Sequence, residues 1–78
     1  MAMSRRDFEA MATAFGAALR SGDGVERVAV WECVDAFCRV AVAGNPAFSE
    51  NRFLAWVGDV ADGTRDLDGK RVKGAVSA

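Results

Sequence analysis

The sequence predicts an all-α fold, a small three-helix domain over residues 4–62 with a flexible or loosely docked C-terminal tail over residues 63–78. Three observations predict it. Serine-led start signals precede two segments, and apolar residues recur at three- and four-residue steps. The valine-rich middle, in turn, lacks any Gly, Asn or Pro where two strands would need a turn.

The first element is announced by Met3-Ser4-Arg5-Arg6-Asp7-Phe8. Ser4 is placed to accept a first-turn backbone N–H, Asp7 is a short-armed capping-box partner three residues on, and Met3 and Phe8 form a hydrophobic staple. A helix is expected over Arg5–Leu19, with Phe8, Met11, Ala12, Phe15, Ala18 and Leu19 on one stripe. It should stop at Ser21-Gly22, with the glycine in the left-handed cap conformation.

The middle segment, Val25–Ala43, is expected to be the second helix. At 100° per residue Glu32, Asp35 and Arg39 form one polar strip, with Asp35 and Arg39 spaced i,i+4 for an ion pair. Val30, Cys33, Val34, Phe37, Val40 and Ala41 centre on the opposite side, and Trp31, Cys38 and Val42 lie on a flank. So wide an apolar arc exceeds what two short neighbours cover, which predicts a central helix or one that also meets another chain. Cys33 and Cys38 are about 140° apart on a helix, too divergent for a disulfide or shared metal ligation, and are expected to be buried thiols.

The third element, Glu50–Ala61, repeats the layout of the first, since Phe48-Ser49-Glu50-Asn51-Arg52-Phe53 is again apolar residue, serine, three polar residues, phenylalanine. Asn45-Pro46 blocks helix before it. Arg52 stands where a capping box would place Glu or Gln, so the signal is the weaker of the two. Phe53, Leu54, Trp56, Val57, Val60 and Ala61 make the stripe, and Asp62-Gly63 ends it. Beyond lie only Leu67, Val72 and Val76 as larger apolar residues. Asp68-Gly69 offers a hairpin turn pairing Leu67 with Lys70 and Asp66 with Arg71, too short to persist unless docked.

Composition excludes more than it selects. The 78 residues carry a net charge of -1 and contain no histidine and no tyrosine, so acid-base chemistry, an activated cysteine and a zinc site all lack their usual partners. No catalytic residue, metal or cofactor is expected, and the protein reads as a non-enzyme. No apolar run reaches membrane-span length and the first residues lack a secretory layout, which places the protein in the cytoplasm. Residues 1–61 carry six basic and eight acidic side chains, net -2, whereas residues 62–78 carry four and three, net +1.

Taken together, Arg5-Arg6-Asp7-Phe8, a middle helix, and Asn45-Pro46-x-Phe48 with Arg52-Phe53-Leu54 and Gly58 resemble a group of short uncharacterised proteins from actinobacteria and their phages, with the pattern R-x-D-F … N-P-x-F-x-x-x-R-F-L-x-x-x-G. The resemblance covers Arg5 to Gly58. It implies a helical fold and a phage or actinobacterial origin, and it brings no catalytic residues. Trp56-Val57 departs from the small residues or cysteine expected there.

The expected function is a protein-interaction module, a homo-oligomer or a phage accessory protein acting on a host protein, with Trp31, Cys38, Val42 and Trp56 as partner-binding residues. Trp31 is the first choice for an intersubunit anchor. The alternative is a small helix-turn-helix-like nucleic-acid binder using Arg5, Arg6, Lys70, Arg71 and Lys73 on phosphates. The acidic balance and the scarcity of long polar side chains on the third helix make nucleic acid the weaker expectation.

Overall fold

A computed structural model describes residues 4–72. It contains α1 (Arg5–Ser21), α2 (Gly24–Gly44) and α3 (Glu50–Asp62), so the three-helix fold is as predicted, α1 and α3 start at the expected residues, α2 starts one residue early, and each helix ends one or two residues late. Among the described residues there is no strand, only an isolated antiparallel bridge between Arg65 and Arg71.

α1 opens with the full capping box. The Asp7 N–H donates to Ser4 Oγ at 3.3 Å and the Ser4 N–H donates to the Asp7 carboxylate at 2.8 Å. Met3, the other half of the expected staple, lies outside the described residues. At the end of α1, Gly22 is extended (φ -85°, ψ 156°) rather than left-handed. The reason is the next residue. Asp23 is already the N-cap of α2, accepting the Glu26 N–H at 3.0 Å, so the chain turns back through extended Gly22 directly into the cap of the next helix. Arg27 reaches back from α2 and donates to the Leu19 carbonyl at 3.0 Å, satisfying one acceptor at the α1 terminus.

Asn45-Pro46-Ala47-Phe48 then turns the chain. The Phe48 N–H donates to the Asn45 carbonyl at 3.0 Å, and the Asn45 side chain accepts the Ala47 N–H at 3.0 Å. Ser49 caps α3 by accepting the Arg52 N–H at 3.3 Å. The expected Phe48–Phe53 staple is present, with ring centroids 5.4 Å apart. Gly63 ends α3 in the left-handed conformation (φ 87°).

α1 and α3 run parallel and pack closest at Gly16, where a Cβ would meet the Val60 side chain and lie 2.8 Å from the Val57 carbonyl oxygen. Leu19, Val57 and Val60 close this end of the core, with no exposed surface. α2 joins through buried Val34 and Cys38 and through one ring: Phe37 stacks on Phe53 of α3 at 5.2 Å and meets Phe8 and Phe15 of α1 edge-on at 6.3 and 5.8 Å. α2 is nevertheless turned from the predicted orientation. Val34, Cys38 and Ala41 are its buried residues, so Cys38 moves from the flank into the core. Val40 is 73 % exposed and Cys33 is also exposed, because both lie roughly 100° or more from the inward direction.

Of the C-terminal segment, residues 63–72 form a closed loop docked on the helices. The Val72 N–H donates to the Thr64 carbonyl and the Asp66 N–H to the Lys70 carbonyl. Arg65 faces Arg71, a register different from the expected Asp66–Arg71 pair. The Asp66 carboxylate accounts for the wider turn by gathering the backbone N–H groups of Asp68 and Lys70 at 2.9 and 3.0 Å. Gly69 (φ 85°) is buried against Thr13 and Trp56, where a Cβ would come within 2.7 Å of Thr13 Oγ1. Val76 lies outside the described residues.

Two stability measurements check this account. Gly16→Ala gains about 1 kcal/mol of helix propensity but forces α1 from α3, and a net loss of about 1–2 kcal/mol in chemical denaturation is expected from overpacking. Arg52→Glu completes the capping box begun by Ser49, so its denaturation midpoint should rise by the equivalent of about 0.5–1 kcal/mol.

Candidate functional site

Two surfaces remain once the core is closed. The first is the outer side of α2. Val25, Val28, Trp31, Val40 and Val42 are all exposed there, with Ala29, Cys33, Ala36 and Ala43 between them. A helix normally hides its large apolar side chains under its neighbours, and this one leaves most of them in water. The predicted polar strip is present: Arg39 donates to Asp35 at 2.5 Å across one turn, an exposed pair that orders the surface and contributes little stability.

The expected partner-binding residues separate into three environments. Trp31 and Val42 are exposed on the same flank of α2, 39 % and 48 % respectively. Cys38 is 1 % exposed and is withdrawn from the list, because it belongs to the core cluster with Val34, Phe53 and Val57. Trp56 is half-buried and held by its own chain. Its Nε1–H donates to Thr13 Oγ1 at 2.9 Å, Gly69 packs against its ring, and the Arg65 guanidinium lies 3.6 Å from the ring centroid.

The second surface is an open groove of about 650 Å³ along the parallel α1/α3 pair. Phe8, Phe48, Phe53 and Trp56 form its floor. Arg5, Arg52, Arg65 and Arg71 stand around it, with Glu9 and Asp59 as the acidic members. Arg5 pairs with Glu9 at 3.3 Å, and Asp59 lies 3.5 Å from Arg65 and 3.9 Å from Arg71. Arg65 is largely buried, and its Nε makes no hydrogen bond among the described residues.

The basic residues named for phosphate contact are partly gathered. Arg5 and Arg71 share the groove, whereas Arg6 and Lys70 line a smaller cleft on the other side of Trp56; Lys73 lies outside the described residues. Sequence reasoning missed Arg52 and Arg65 as members of this surface. Arg52 carried a signal, its misfit at the capping-box position, but Arg65 carried none, since only the docked loop brings it onto Trp56.

The two thiols differ sharply. Burial, followed by the negative charges of Glu50 and Asp35, pushes the Cys38 thiol above its ordinary value, so it stays protonated and shielded at neutral pH. Cys33, expected to be buried, is exposed. Among the described residues no three His, Cys, Asp or Glu side chains gather to hold a metal ion, and no helix is long and apolar enough to cross a membrane. No protein family, curated protein or solved structure matches the chain, so its role must be argued from these surfaces.

Titration of the folded protein with a thiol-reactive disulfide reagent at pH 7.5 should show one thiol reacting promptly and a second at least tenfold more slowly until denaturant is added. Cys33→Ser should remove the prompt phase and Cys38→Ser the slow one.

Proposed function

We propose that this chain is a small non-enzymatic interaction module that presents the outer side of α2 to another protein, its first partner being a second copy of itself. The observation that carries the reading is that α2 spans 21 residues and buries only Val34, Cys38 and Ala41, leaving Trp31 and four valines exposed. A domain this small gains stability most readily by covering such a face. Small residues at positions 29, 33, 36 and 43 let a second helix approach closely. Trp31 is the anchor, since a rigid aromatic side chain at the edge of an apolar patch contributes large area at small entropic cost. A host protein, as the resemblance to phage proteins implies, would use the same face, in the cytoplasm.

Light scattering and sedimentation at tens of micromolar should give a dimer for the wild type. Trp31→Glu should give a monomer with unchanged helical circular dichroism and at least a tenfold weaker association constant. A wild type that stays monomeric up to millimolar concentration rules out self-association.

A further inference from the structure

We propose that the α1/α3 groove is a second binding site, one that takes a partner's peptide segment in which acidic residues flank a large apolar side chain. This inference is independent of the α2 surface. Its first support is charge. Four arginines against Glu9 and Asp59 leave the groove at net +2, in a chain whose total is -1. The positive charge is local, and it surrounds a floor of aromatic rings.

The second support is a local rule broken at both helix starts. The positive end of a helix dipole disfavours cations in the first turn, yet α1 begins Arg5-Arg6 beside Asp7 and α3 carries Arg52 beside Glu50 in its first turn. Because the two helices run parallel, these starts lie at the same end of the groove. At position 52 a glutamate would complete the cap and suit the dipole, so arginine there gives up stability at a residue that lines the groove. Such conflicts between local preference and fold concentrate where a residue serves binding.

The third support is unused hydrogen-bonding capacity. A guanidinium has five N–H donors in a planar fork matched to carboxylates. Arg5 uses one donor on Glu9, and Arg52 makes no side-chain hydrogen bond among the described residues. Arg71 sits at ion-pair distance from Asp59 with its side chain exposed, whereas the Arg65 Nε is buried beside the same carboxylate and out of a ligand's reach. Arg65 is clamped between Trp56, to which it is stacked, and the Gly69 carbonyl, to which it donates at 2.8 Å. It is therefore held in place before any ligand arrives.

The aromatic floor selects against a bare inorganic anion, which would leave Phe8 and Phe48 uncovered. Glu9 and Asp59 select against a run of phosphates, for which a uniformly basic track is the usual solution. The groove is open along one side, whereas small-molecule pockets enclose most of their ligand. An extended peptide that lays one apolar side chain on the floor and its carboxylates on Arg5, Arg52 and Arg71 satisfies all three conditions. Residues 73–78, Lys-Gly-Ala-Val-Ser-Ala, carry no acidic side chain to offer the groove, and the proposed occupant is a segment of another protein.

Panning a random twelve-residue peptide library on the immobilised full-length protein tests this. The expected result is enrichment of segments with two or more Asp or Glu flanking Phe, Trp or Leu, and saturable one-to-one binding of the top peptide in titration calorimetry. Arg52→Glu should weaken that peptide at least tenfold while keeping or raising the melting temperature, which separates lost binding from lost fold. Arg5→Glu and Arg71→Glu should each weaken it as well. Trp31→Glu should bind it as the wild type does, whatever the oligomeric state, so failure of the α2 reading and failure of this one are distinguishable. Enrichment without acidic residues, or full affinity in Arg52→Glu, overturns the proposal. So does displacement of the peptide by duplex DNA with a steep salt dependence, which would assign the groove to nucleic acid.

Discussion

Five phenylalanine rings meeting between three helices are the interaction on which this domain depends. Phe8 and Phe15 come from α1, Phe37 from α2, Phe48 from the turn before α3 and Phe53 from α3, with neighbouring centroids between 4.8 and 6.3 Å apart. These are all the phenylalanines in the chain. Phe53 is buried and the other four rings are partly buried; a fully buried ring contributes about 1.5–3 kcal/mol by transfer from water and a partly buried one less, and edge-on or offset pairs add about 0.5–1.5 kcal/mol each. In 78 residues no other group of side chains offers comparable area, since much of the remaining apolar content is alanine. Phe37 matters most for topology, because it is the ring through which α2 is tied to both other helices.

From that constraint the two surfaces follow. α1 and α3 can approach closely because Gly16 lets Val57 and Val60 reach the α1 backbone, and their parallel course leaves the groove open toward the Ser4 and Ser49 ends. α2 is held by Phe37, Val34, Cys38 and Ala41 along one narrow line, so its opposite side has nothing to pack on. A tight helix pair and a loosely covered third helix are two consequences of one cluster. The docked loop adds a third layer, as Gly69 and Arg65 enclose Trp56 and convert a residue suited to an interface into part of the domain's own packing.

The groove also shows how electrostatics and fold trade against each other. Arg5 and Arg52 sit where helix dipoles disfavour cations, and the cost is small because both are exposed to water. Arg65 is different: its guanidinium is largely buried, and the face of Trp56, the Gly69 carbonyl and the nearby Asp59 carboxylate together replace the water it loses. Arg65 is therefore held by three partners, whereas the Arg5 and Arg71 side chains stay exposed in their ion pairs.

The helices and their starts were legible in the sequence, because capping, stapling and apolar spacing act within a few residues. Ser4 with Asp7, Ser49 with Phe48 and Phe53, and the break at Asn45-Pro46 each have a local cause, and each is found where the residues place it. The rotation of α2 was not legible. Its apolar residues spread so far around the helix that periodicity left the inward direction free, and the choice fell to the fit against α1 and α3, which buries Val34 and Cys38 and sets Phe37 beside Phe8, Phe15 and Phe53. For the same reason Cys38 and Cys33 exchange roles, and Val40 emerges into water. The Gly22 conformation was decided by the cap that follows it, and the loop register by Asp66 folding back on its own backbone. The groove arises only when residues from both ends of the chain are brought together, so Arg5, Arg52, Arg65 and Arg71 had no common meaning until packing set them around one floor. Sequence alone determined what each segment becomes, since those forces are short-ranged; tertiary structure decided which faces meet, because that depends on the shape left between neighbours.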